Sequence, residues 1–113
     1  MKTFSFSDAS VRDINEICEF YGQENVDVAS RLFDNIRKKC KLYAEFPNMG
    51  KKDSHFIPNR EEYYQSFISN LRGFVVDDYI VFYYPRQDGI DVFRIMSGKQ
   101  DLISILENLD YEL

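Results

Sequence analysis

The residues of this chain that can handle charge or protons are few and scattered. Arg72 and Arg94 stand in segments that read as strands, Lys99 follows the glycine closing the last of them, and His55 is the single histidine. On a sheet surface the two arginines either pair with neighbouring acids or present cations to a ligand. His55, in a polar stretch, is either a solvated side chain or a base. Tyr63, Tyr64, Tyr83 and Tyr84 offer rings on which nucleobases can stack. They equally suit core and edge positions, where the ring is buried and the hydroxyl finds a partner. Arg37, Lys38, Lys39 and Lys41 form a basic run that fits either a nucleic-acid patch or a solvated helix end whose dipole favours cations. Cys18 and Cys40 fall inside apolar helical patterns and read as small core residues. With one histidine and no Cys-x-x-Cys spacing they imply no structural zinc, and a reduced setting is expected for them.

Composition limits what these groups can do. A net charge of −5 over 113 residues opposes loose binding to RNA or DNA, because that affinity comes from neutralising phosphates. A local basic patch is still compatible with it. The content of 44% hydrophobic and 29% charged residues is that of an ordinary globular chain rather than a disordered one. The length fits one domain, residues 1–113, which buries roughly two-thirds of its unfolded surface without staples. No apolar run reaches the roughly 18 residues of a membrane span. The start Met1-Lys2-Thr3-Phe4 lacks the apolar stretch of a secretory signal, so a cytoplasmic location is expected. No metal and no cofactor is implied.

The elements that position these residues follow from hydrophobic spacing. Thr3 to Phe6 alternate as a first strand. Ser7 or Ser10 caps a helix, accepting an otherwise orphaned backbone N–H, with Val11, Ile14, Ile17, Cys18 and Tyr21 as its apolar stripe and Gly22 near its end. A second helix starts near Asn25 or Asp27 and carries Ala29, Leu32, Phe33, Ile36, Cys40 and Tyr43 on one face. Pro47 stops it. The short link makes the two helices an antiparallel hairpin, which brings Asp8, Asp13, Glu16 and Glu19 near the basic run. Phe74 to Val76, Tyr79 to Tyr84 and Ile90 to Met96 are three consecutive strands. The middle one is apolar enough to be buried on both faces, and Asp88-Gly89 turns the last hairpin. Asp101 caps a short final helix with Leu102, Ile103, Leu106 and Leu109. Residues 48–70 are the least legible, with 61–68 readable as helix or strand. The fold class is α+β: an N-terminal strand and helical hairpin packed on an antiparallel sheet.

This order and spacing resembles the ParE/RelE family of toxins from type II toxin–antitoxin systems, over about Phe4 to Leu106. The segments that carry the resemblance are Leu42-Tyr43-Ala44-Glu45-Phe46-Pro47-Asn48-Met49-Gly50, Leu71-Arg72, Tyr79 to Tyr83, Asp88-Gly89-Ile90 and Arg94 to Leu102. Between Gly50 and Leu71 the chain is roughly ten residues longer than the short connections such folds use.

The resemblance implies one of two activities. RelE-like members cleave mRNA on the ribosome, with fixed cations for the developing phosphorane charge and an acid for the leaving oxygen. Their basic strand positions fall here on Leu71, Gly73 and Ile80, a later arginine on Gln100, and the terminal tyrosine on Leu106. Only Arg72, Arg94, Lys99 and His55 remain as substitutes, so cleavage is the weaker expectation. ParE-like members lack that set and inhibit DNA gyrase by binding. The match is closer to ParE, and the expected partners are gyrase and a cognate antitoxin. Val11, Tyr21, Leu32 and Arg94 are the candidate antitoxin-binding residues, beside the helical hairpin and along the last strand. An inert relative that keeps only a binding role is the third reading.

Overall fold

The computed structural model describes residues 2–22, 25–52, 55–56 and 70–98. Strand β1 (Thr3–Phe6) leads into helix α1 (Asp8–Tyr21) and helix α2 (Val26–Glu45). A two-residue strand β2 (Lys51–Lys52) follows, then β3 (Arg72–Val76), β4 (Tyr79–Arg86) and β5 (Gly89–Ser97). The five strands form one sheet in the order β1-β5-β4-β3-β2. β1 runs parallel to β5, and the other pairs are antiparallel. The architecture is the α+β one expected, with a mixed sheet rather than a purely antiparallel one. The reason is connectivity: α1 and α2 intervene between β1 and the later strands, so β1 returns beside β5 through a long crossover. The expected final helix from Asp101 and the 61–68 element lie outside the described residues.

Local chemistry explains the element ends. Ser7 Oγ accepts the Ser10 N–H at 3.0 Å as the N-cap of α1 and donates to the Phe93 carbonyl at 2.7 Å, so one hydroxyl starts the helix and fastens it to β5. Gly22, with φ 61°, closes α1. The apolar stripe of α1 differs from the expected one. Its buried residues are Ser10, Asp13 and Ile17, whereas Val11 and Cys18 are exposed. The same helical spacing holds, rotated by one position, because the carboxylate of Asp13 has a partner inside. The stripe of α2 matches the spacing closely: Ala29, Leu32, Ile36, Cys40 and Ala44 are buried.

The core lies between the helices and one sheet face, where Phe74, Val81, Tyr83, Ile90, Val92 and Ile95 meet Ile17, Leu32, Ile36 and Cys40. Tyr43 stacks on Phe74 with ring centres 4.2 Å apart. Ile80 and Phe82 alternate with Val81 and Tyr83, so they occupy the opposite face, yet they too are buried. Phe56 meets Phe82 edge-on at 5.8 Å on that side. Among the described residues no helix is long and apolar enough to cross a membrane.

Candidate functional site

The segment after α2 is organised by one hydroxyl. Tyr83, fully buried on β4, donates to the Pro47 carbonyl at 2.7 Å and accepts the Gly50 N–H at 3.0 Å. Arg72 Nη1 donates to the Gly50 carbonyl at 2.7 Å. A Cβ at position 50 would collide with the Tyr83 ring, so the turn needs glycine there. Burial pushes the Tyr83 hydroxyl above its ordinary value, with the Gly50 N–H and Arg72 opposing. This hydroxyl is a structural hub and stays protonated. Arg72 is likewise occupied, by a carbonyl rather than by the acid expected of it.

Arg94, on β5, is held from the other flank. Its Nε donates to Asp13 Oδ2 at 2.7 Å and its Nη2 to Asp13 Oδ1 at 2.8 Å, a two-pronged pair in which the side chains are only 15% and 7% exposed. The Ile95 N–H adds a third bond to Oδ2 at 2.9 Å. Asp13 therefore joins α1 to β5, and does not pair with the basic end of α2. Lys39 of that basic run reaches the Val75 carbonyl at 2.9 Å instead.

Beside this pair lies a groove of about 370 Å3 between the C-terminal half of α1 and the start of β4. Glu16, Phe20 and Tyr21 form one wall, Asp78 and Tyr79 the other. Phe20 is 80% exposed, unusual for a phenylalanine, and its ring meets Tyr21 edge-on at 5.4 Å. Tyr79 shares a side-chain hydrogen bond with Tyr21; partial burial and that bond push its hydroxyl up to about 12. The Tyr79 hydroxyl thus keeps its proton at physiological pH, and among the described residues the charges on the groove wall are carboxylates.

The candidate residues are not gathered at one place. Arg72 and Arg94 sit on β3 and β5 with β4 between them, about 10 Å apart by strand spacing, and each guanidinium already has a partner. His55 is exposed, with its ring edge-on to Phe56 at 5.0 Å. Lys99, Gln100, Leu106, Tyr63 and Tyr64 lie outside the described residues. Leu71, Gly73 and Ile80, the strand positions onto which the resemblance maps the RelE-like cations, are buried. Of the expected antitoxin contacts, Val11 is 44% exposed and Tyr21 lines the groove. Leu32 is a correction: at 3% exposure it is part of the core beneath α2, because its position falls on the inward stripe with Ala29 and Ile36. Arg94 is confined by Asp13. The groove residues Glu16, Phe20, Asp78 and Tyr79 were missed by sequence reasoning. The signal for Phe20 was a large apolar residue lying off the inward stripe of its helix.

Comparison with known proteins places this geometry. A family model described as ParE toxin of type II toxin-antitoxin system, parDE, matches residues 4–102. A solved structure of the chromosomal ParDE TA system from P. aeruginosa is similar over 86% of this chain and 96% of that chain, with a TM-score of 0.60 and 14% sequence identity. No curated protein sequence matches it. At that identity the structural likeness speaks for the fold, whereas the family model spans nearly the whole chain, and the chain belongs to the ParE toxin family of type II toxin–antitoxin systems.

Proposed function

We propose that this protein acts in the cytoplasm as the toxin of a type II pair, inhibits DNA gyrase by binding it, and is neutralised by a cognate antitoxin. The observation that carries this reading is the chemistry of the sheet. Leu71, Gly73 and Ile80 are buried and apolar or without a side chain, and Arg72 and Arg94 are each committed to internal partners. Among the described residues these strand positions offer no fixed cation to a phosphorane, while recognition of a protein target tolerates a net charge of −5. Expression alone should arrest growth, and co-expression of the partner encoded beside it should restore growth. Translating extracts given the purified protein should keep their mRNA intact. Codon-positioned mRNA cuts that vanish in Arg94→Ala would instead establish the nuclease, and unimpaired growth at confirmed expression would establish an inert relative.

A further inference from the structure

The groove beside α1 carries three carboxylates that the fold treats differently. Asp13 at its base is consumed by Arg94 and the Ile95 N–H. Glu16 and Asp78 are different. Both are exposed, they reach the groove from separate elements, and among the described residues neither enters an ion pair. Between them stand Phe20, Tyr21 and Tyr79. Aromatic rings flanked by carboxylates favour one class of guest, because the negative face of a ring and the charge of each acid both attract a cation. The exposed Phe20 adds an apolar surface that water solvates poorly. The volume is near the lower end of ligand pockets and holds a side chain or two rather than a domain.

We propose that this groove is the receptor for a basic side chain, arginine or lysine, flanked by apolar residues on a peptide segment of the antitoxin. The proposal rests on the reading of this chain as a toxin held by an antitoxin, and it names the chemistry of the antitoxin's anchor. Charge complementarity selects this occupant. An acidic groove on a chain of net charge −5 attracts basic peptides and repels the acidic segments of a second copy. Arginine suits the site because its planar guanidinium can stack on a ring while bonding a carboxylate at its edge.

The first test uses the full chain and a capped leucine-arginine-leucine peptide followed by NMR. Saturable amide shifts are expected at Phe20, Tyr21, Asp78 and Tyr79. The citrulline analogue, equal in shape and uncharged, should bind about tenfold more weakly. The Glu16→Gln/Asp78→Asn double variant should lose the same about tenfold for the arginine peptide while its other resonances stay in place. Equal affinity for the two peptides, absent saturation, or shifts centred on α2 would overturn the proposal. So would concentration-dependent shifts of the groove residues without peptide, which would assign the groove to a second copy. A second arm uses the antitoxin encoded beside this chain. Undiminished capture of that protein by the double variant sinks the proposal while leaving the toxin reading standing. Failure of the unsubstituted chain to capture it sinks both.

Discussion

On the β2–β3 flank of the sheet, cations end on backbone carbonyls: Arg72 on Gly50 and Lys39 on Val75. On the α1–β5 flank one acid, Asp13, is matched by Arg94, and two others, Glu16 and Asp78, face a groove without ion-pair partners among the described residues. The first arrangement uses its charges to close loops and helix ends. The second uses a single pair to hold the helix, and among the described residues its other two acids enter no ion pair. The comparison shows why the basic run of α2, the most conspicuous charge feature of the chain, is a poor guide to function. Availability beside a cavity matters more than density, and among the described residues the charges that line the groove are acidic.

The largest expected effect comes from breaking the buried pair. Asp13→Ala should cost about 3–5 kcal/mol in denaturant unfolding, because it strands a nearly buried guanidinium and the Ile95 N–H. Asp13→Leu combined with Arg94→Met should recover most of that loss, since the cost lies in the unpaired charge rather than in the absent bridge. If the double variant is as unstable as the single one, the pair is not what fastens α1 to β5.

The opposite flank is expected to respond less. Tyr83→Phe removes both bonds to the Pro47–Gly50 turn and should lower stability by about 1–3 kcal/mol. Its hydrogen-exchange signature should be loss of protection at Gly50, with protection at Ile95 unchanged. Equal losses at both sites would mean that the flanks do not behave separately.

Alkaline pH separates interior from groove. Burial pushes the Cys40 thiol from 9.0 to about 12, so the folded chain keeps a proton that the unfolded chain releases above pH 9. This contribution to stability is complete below pH 9 and declines as pH rises toward 12, by about 1.4 kcal/mol per pH unit for that one group. Cys40→Ala should flatten the decline, leaving the part due to Tyr79 and Tyr83, which begins near pH 10. An unchanged slope would place the titration elsewhere. The smallest effect is expected from the free charges. Lys38→Ala, Glu16→Gln and Asp78→Asn should each move stability by less than about 0.5 kcal/mol.

Much of this was legible in the residues. The stripe of α2, the proline that stops it, the Asp88-Gly89 turn and the doubly buried run of β4 each follow from local spacing. What escaped were features made by distant pairs. Asp13 read as one of four acids near the basic run of α2 because its partner is 81 positions away on β5, and its burial rotated the inward face of α1 away from Val11 and Cys18. Leu32 was legible as helical spacing but not as core, since spacing alone does not say which face is covered. That Arg72 and Arg94 could pair with acids was legible, and Arg94 does so; that the acid is Asp13, and that Arg72 ends on the Gly50 carbonyl instead, was not, because nothing in the sequence places those groups beside them. The groove was invisible for the same reason: its two walls are brought together only when α1 lies across β5.

The central claim is inhibition of gyrase by binding rather than by cutting RNA. Its most direct test is a supercoiling and DNA-cleavage assay with gyrase and the purified protein freed of its partner. Blocked supercoiling with accumulation of linear DNA, reversed when the antitoxin is added, is the expected result. Gyrase that supercoils normally at saturating protein would contradict it.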